Sequence, residues 1–236
     1  MPAELTTIYR AYPGELTPET FKQCRPTWFN KINCWNRLLN EVGHASKLHV
    51  VWDGRVDNVL YEEISKQSAW IKIHHIDEKD NQKSLEFCYK LAETLDTEYL
   101  AFMEDDWIVL PGFYNVLMEG LEKFPSHFVF PYDSPHRYDP AYNDITWGQD
   151  YVLTTKNSWW KTSESLMCSV AMSKKLFDKV KHLLYKHCRE GIGGPNDRMF
   201  FRECLNYGIR TWTSIPTKCT HVVNSDLSPF VDWENV

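Results

Sequence analysis

With 236 residues and 43% hydrophobic content, the chain is long enough for one large domain, or one domain with a sub-lobe, around a sizeable core. A net charge of −6 argues against a broad electrostatic grip on nucleic acid while leaving room for a local basic patch. Seven cysteines without a CxxC pair argue against a disulfide framework or a zinc cage, and no apolar run approaches ~18 residues, so reduced thiols, no membrane span and a cytoplasmic location are expected.

The first strand is expected over Leu5 to Tyr12, broken by Pro13-Gly14, with a loop from Glu15 to Pro26. Apolar residues at Trp28, Ile32, Trp35, Leu38 and Leu39 recur at helical spacing, which predicts a helix from Trp28 to Glu41. A second strand, Lys47 to Trp52, runs into Asp53-Gly54-Arg55. An acid followed by glycine just past a strand suits a nucleoside contact, and is also an ordinary turn. A helix over Val59 to Ser68 and a strand over Trp70 to Ile76 follow. Asn81 and Ser84 are then candidate helix-start residues ahead of an amphipathic helix from Leu85 to Leu95; a helix N-terminus beside a sheet edge can take phosphate.

The fourth strand, Tyr99 to Met103, ends on Glu104-Asp105-Asp106-Trp107. Three adjacent carboxylates cannot stay buried unless paired or metal-bound, so they belong where the strand leaves the sheet. In open α/β sheets that edge binds ligands. Hard oxygen donors crowded there suit Mg²⁺ or Mn²⁺, and such an ion can hold a diphosphate. The competing explanation is a solvated acidic turn. Phe113 to Phe124 reads as a helix and completes a strand–helix alternation that predicts a doubly wound, mostly parallel sheet. The absence of GxGxxG, GxxxxGK[ST] and HExxH removes the commonest dinucleotide-binding, NTPase and metalloprotease readings.

Residues 125 to 236 change character. Phe128 to Tyr132 is a strand. Asp133 to Asn157, rich in Pro, Tyr, Asp and Asn, is expected to be mostly irregular, as functional loops often are. Ser165 to Met172 is strand-like, Ser173 opens a helix, Gly191 to Pro195 is a turn, and Asn196 or Asp197 caps a helix reaching about Tyr207. Arg210 to Ile215 is a short strand. Ten tryptophans and 14% aromatic residues suit stacking on sugars or bases, although core packing accounts for most such side chains.

The acids after a fourth strand, the Asp197 helix start and a C-terminal histidine together resemble the GT-A glycosyltransferases, over essentially the whole length. That resemblance implies one GT-A-like α/β domain, with residues 1–124 as the nucleotide-sugar-binding half and 125–236 as the acceptor-side half. A narrower similarity rests on Arg25-Pro26-Thr27-Trp28-Phe29-Asn30-Lys31, Asn81 with Ser84, Glu104-Asp105-Asp106-Trp107, Asn196-Asp197-Arg198-Met199-Phe200, Thr220-His221, Leu227-Ser228-Pro229 and Val231-Asp232-Trp233. These look like the phage and protist group related to the base J glucosyltransferase, implicated in attaching sugar to hydroxymethylated pyrimidines in DNA. For a viral protein the location is then the host cytoplasm.

The resemblance implies Asp106 and His221 as ligands of Mn²⁺ or Mg²⁺, with Glu104 and Asp105 assisting through the ribose or metal-bound water. Asp53 is expected at the nucleoside and Arg10 or Arg25 near the diphosphate, with Asn81 and Ser84 on the donor side. UDP is the default nucleotide. Asp197 is the candidate base of an inverting transfer, against the alternative of a plain N-cap. Trp107, Trp147, Tyr151, Trp159 and Trp160 are candidate acceptor-stacking residues, and Arg137, Lys156 and Lys161 candidate phosphate contacts if the acceptor is DNA. Three rivals use the same acids: a GT-A enzyme acting on a glycan or protein, a catalytically inactive nucleotide-binding module, and a nucleotidyltransferase or phosphohydrolase.

Overall fold

The computed structural model describes residues 4–14, 24–43, 46–138, 151–163, 169–190 and 196–236. Trp147, the expected turn over 191–195 and much of the expected irregular segment lie outside them, as do the side chains of Arg137 and Glu190.

Four parallel strands form the first part of the sheet: β1 (Leu5–Ala11), β2 (Lys47–Asp53), β3 (Ile71–Ile76) and β4 (Tyr99–Glu104). Three helices connect them: α1 (Lys31–Val42), α2 (Val59–Ser65) and α3 (Asn81–Thr94). The alternation expected from the sequence is present, with shifted boundaries. Asn30 caps α1 by accepting from Ile32 N at 2.8 Å, so Trp28 lies outside the helix. Asp80, rather than Asn81 or Ser84, caps α3, accepting from Lys83 N at 2.9 Å. An aspartate carboxylate is as effective a cap as asparagine, and it adds charge at the positive end of the helix dipole.

After β4 the chain turns through Asp105 and Asp106 into β5 (Trp107–Val109), then α4 (Phe113–Lys123) and β6 (Phe128–Phe130). Then come β7 (Val152–Thr154), β8 (Trp159–Ser163) and β9 (Val170–Ser173), followed by α5 (Lys174–Glu190), α6 (Asp197–Asn206), β10 (Thr211–Ile215) and β11 (Cys219–His221). The nine-stranded order is β3-β2-β1-β4-β9-β6-β10-β8-β7, and β5 pairs with β11 separately. Strand β9 runs antiparallel between β4 and β6, and β8 antiparallel between β10 and β7, so the sheet is mostly parallel but mixed. The sheet draws strands from both halves of the chain. The β7–β8 hairpin and the β5–β11 ribbon were not expected: three of their four strands have three residues, too short to show a period.

One continuous core surrounds the large sheet, and a smaller cluster joins Cys34, Ile108, Val222 and Trp233 beside the β5–β11 ribbon. The tail is tied down by Trp233 Nε1–H donating to Ser228 O at 2.8 Å and by Ser228 N–H donating to Thr220 Oγ1 at 2.8 Å. Gly120 on α4 faces the sheet: a Cβ there would meet Trp160 Cη2 at 2.4 Å and Val129 Cγ1 at 2.6 Å, so only glycine lets the helix approach this closely. Among the described residues no helix is long and apolar enough to cross a membrane.

Candidate active site at the carboxyl edge of the sheet

The register aligns Arg10 of β1 with Glu104 of β4, and Ala11 with Trp52, one residue before Asp53 of β2. The carboxyl ends of three parallel strands therefore meet at one edge, where open α/β sheets bind ligands. Each acid of the cluster has its own cation. Arg10 pairs with Glu104 and also donates to Asn81, reaching its side-chain oxygen and, at 2.8 Å, its carbonyl. Lys31 Nζ lies 2.8 Å from Asp105 Oδ2, which also accepts from Tyr12 N–H at 3.0 Å. Arg25 Nη2 lies 2.6 Å from Asp106 Oδ2, while its Nη1 donates to Val222 O at 2.6 Å.

His221 is brought to Asp106 by backbone pairing. In the β5–β11 ribbon His221 stands opposite Trp107, and Val222 N–H donates to Asp106 O at 2.9 Å. The imidazole Nε2 is then 3.1 Å from Asp106 Oδ2, its Nδ1 is 2.7 Å from Asp226 Oδ2, and its ring stacks on Trp107 with centroids 5.5 Å apart. Asp226 also reaches His136 Nε2 at 3.0 Å and accepts from Ser225 Oγ at 2.8 Å. Burial alone would lower the His221 pKa; Asp106 and Asp226 override it and raise it to about 9. Burial opposes ionisation of Asp106 too, but His221 and Arg25 hold its carboxyl well below the usual range. For Asp105, burial prevails over Lys31 and pushes the carboxyl up.

Asp106 Oδ1 is buried and has no hydrogen-bond partner among the described residues. An unsatisfied buried carboxylate oxygen costs free energy, and at a sheet mouth it is an open ligand position. Beside it stands an imidazole whose far nitrogen is fixed by a carboxylate, the usual support of a metal-binding histidine. One carboxylate and one imidazole can hold Mn²⁺ or Mg²⁺ when further oxygen ligands complete the shell. Among the described residues no three His, Cys, Asp or Glu side chains form a ready-made cage, so the protein alone offers an incomplete shell.

The remaining expected residues divide. Asp53 is buried and accepts from Lys79 N–H at 3.0 Å, shaping the turn before α3, where Lys79 holds a left-handed φ of 50°. Gly54 follows with φ 132° against Pro13, a conformation that disfavours a side chain. Asn81 is exposed at the start of α3, but Ser84 is buried one turn in, and its burial removes it from the donor surface. Trp107 and Trp160 are corrections: Trp107 is 1% exposed and packs edge-on against Phe130 and Tyr132, and Trp160 is 0% exposed under α4, so neither offers a face to an acceptor. Trp159 is 62% exposed, and its pairing with Ile215 puts it on the same edge as the acids, at the far end of the sheet. Tyr151 is exposed at 39%, with Arg210 stacked 4.5 Å from its ring centre. Lys156 is exposed at the hairpin tip, whereas Lys161 is engaged by Asp133 at 3.0 Å and the Tyr138 ring.

Asp197 opens α6, capped not by itself but by Asn196, whose side chain accepts from Met199 N–H at 3.3 Å. Asp197 lines a small apolar cavity with Leu85 and Val170. Leu85 is one turn from Asn81, and Val170 is the residue after Ser169, whose hydroxyl lies 3.4 Å from Glu104 N. Asp197 therefore lies on the acid-cluster side of the fold. Sequence reasoning missed Lys31 and Asp226. Lys31 lies in the Arg25–Lys31 stretch, and only the fold shows that it turns toward Asp105; Asp226 carries no pattern of its own.

No protein-family model matches the chain, and no curated protein matches it in sequence. Solved structures do resemble it. GalNAc-T7, crystallised with UDP, GalNAc and Mn²⁺, superposes with a TM-score of 0.63 at 9% identity, covering 93% of this chain and 43% of that one. TarS residues 1–349 of S. aureus gives 0.55 at 11% identity over 92% of this chain and 59% of that one. A longer TarS structure gives 0.57 at 11% identity over 92% of this chain and 36% of that one. The chain thus has the GT-A glycosyltransferase fold, and spans roughly two-fifths to three-fifths of the length of the first two neighbours.

Proposed function

We propose that this chain is a metal-dependent glycosyltransferase that moves a sugar from a nucleotide sugar, with UDP as the nucleotide, to an acceptor hydroxyl. The observation that carries the reading is Asp106. Its Oδ1 is buried without a partner, and its Oδ2 faces His221, which Asp226 holds in place at the mouth of a GT-A sheet. The UDP and Mn²⁺ held by GalNAc-T7 support the same choice of donor and ion.

Asp106 and His221 would hold Mn²⁺ or Mg²⁺, which supplies Lewis-acid neutralisation of the leaving diphosphate. Lys31 and Arg10 keep Asp105 and Glu104 compensated, so the edge does not repel an anionic donor. Asp53 and Asn81 shape the wall around the nucleoside. In the transfer the acceptor oxygen forms a bond to the anomeric carbon. The bond from that carbon to the diphosphate oxygen breaks with its electron pair, and the acceptor proton passes to Asp197 with inversion of configuration. Trp159 offers an exposed aromatic face for the acceptor; Tyr151 pairs opposite Thr162 at the other edge of the sheet, with Arg210 over its ring, and is not part of this site. The base J-like similarity of the sequence makes hydroxymethylated pyrimidine in DNA the acceptor to test, and a nucleotide sugar without such DNA the control.

The test is release of UDP and labelling of acceptor in the presence of Mn²⁺, with duplex DNA carrying hydroxymethylpyrimidine and with glycan and peptide acceptors. Asp197→Asn is expected to keep UDP affinity within about twofold and to slow transfer about 10²–10⁴-fold. Transfer at the wild-type rate would remove Asp197 from its role. Labelling of glycan instead of DNA would reassign the acceptor, and binding without turnover on any donor would leave an inactive module.

A further inference from the structure

Arg25 occupies an unusual place for a residue meant to meet a donor. Its guanidinium spans Asp106 Oδ2 and the Val222 carbonyl, both at 2.6 Å, and lies 4.8 Å from the Phe29 ring centre. Arg25 and Asp106 side chains are each 13% exposed, so the pair is largely withdrawn from water. Breaking such a pair by removing one partner leaves a charge uncompensated. The carboxylate oxygen that Arg25 holds is the one facing His221.

Resting on the donor-site reading above, we propose that Arg25 competes with the divalent ion for Asp106 and gives it up only when a diphosphate is there to receive the guanidinium. An ion held by Asp106 and His221 draws on the same carboxylate charge that Arg25 neutralises, whether it approaches at the unpartnered Oδ1 or at Oδ2, and puts a second cation beside the guanidinium, so Arg25 opposes metal binding to the donor-free protein. A diphosphate reverses the sign. Its oxygens match the guanidinium fork bidentately and also complete the shell that Asp106 and His221 leave open. Metal and donor therefore bind as a coupled pair, and each strengthens the other by the same factor. Free metal alone binds weakly, and the nucleotide alone lacks its ion.

The experiment measures Mn²⁺ affinity of the full chain, from the electron-spin signal of free Mn²⁺, with and without saturating UDP. Wild type is expected to bind Mn²⁺ about 5- to 100-fold more tightly with UDP. In Arg25→Gln, affinity for Mn²⁺ alone should rise and the UDP-induced tightening should shrink toward onefold. Arg25→Lys, which keeps the charge but loses the fork, should fall between them and covers the case in which Arg25→Gln does not fold. Wild-type coupling in a folded Arg25 variant, with Mn²⁺ affinity unchanged or weaker in the absence of UDP, overturns the proposal while leaving the donor site intact. Failure of wild type to bind either Mn²⁺ or UDP overturns the donor-site reading and this one with it.

Discussion

At the mouth of β4, Arg10, Lys31 and Arg25 each hold one carboxylate in a largely buried pair. On the β7–β8 hairpin, at the other end of the same sheet, Val152 and Trp159 are each 62% exposed. The first region has its geometry set by backbone register, by β11 strapped onto β5, and by ion pairs that leave few side chains free to move. The second turns Trp160 inward against α4 and presents Val152 and Trp159 outward to solvent. A diphosphate and its ion demand fixed donors at fixed distances, because electrostatic stabilisation depends on preorganisation. An acceptor needs a surface to lie on, and exposed aromatic rings provide one with little conformational entropy to lose.

The neighbouring tryptophans of β8 separate the two kinds of role most sharply. Trp160→Ala empties a filled space under Gly120 and is expected to cost about 3–5 kcal/mol, read as a fall in Tm of roughly 10 °C. If the melting point stays put, the packing described for the hairpin's inner face is wrong. The acid cluster should respond next, through pH. With the His221 pKa raised to about 9 from an ordinary 6.5, its pairs contribute fully below pH 6.5, and their contribution is lost as pH rises through about 9. Metal-free protein should therefore lose on the order of 2 kcal/mol between pH 7 and 9.5. His221→Gln should flatten that part of the melting curve; an equal slope in both proteins would deny the pairing.

Asp226→Asn probes the support of His221 and should weaken Mn²⁺ binding in the presence of UDP about 10- to 100-fold, measurable by calorimetry, with unchanged affinity as the contrary result. The smallest effect on the fold is expected at Trp159→Ala: stability within about 0.5 kcal/mol, UDP binding unaffected, and acceptor KM raised several-fold. A change in UDP affinity instead of acceptor KM would place Trp159 in the wrong region.

Much of the first region could be read from residues alone. Strands of six or seven residues with helices between them announce themselves through period, and three carboxylates after an apolar run have few stable places to go. His221 was legible as a residue type near the end of the chain, but its partner Asp226 was not, because five residues of irregular tail carry no spacing rule. Lys31 lay in plain view on α1, yet a lysine near a helix start is commonly solvated, and only the strand order turns it toward Asp105. The aromatic residues misled most. Trp107, Trp159 and Trp160 have the same chemistry in sequence, and the alternation along β8 together with the β5–β11 pairing decides which is buried and which is presented. Composition reports how many rings a chain has, whereas exposure depends on long-range register.

The central claim is that Asp106 and His221 hold an ion that in turn holds a nucleoside diphosphate. Thermal unfolding with UDP and Mn²⁺, together and separately, tests it most directly, since a ligand that binds only the folded state raises Tm by mass action. Tm should rise clearly with both present, much less with either alone, and not at all in Asp106→Ala. An equal rise in wild type and Asp106→Ala, or none in wild type, would contradict it.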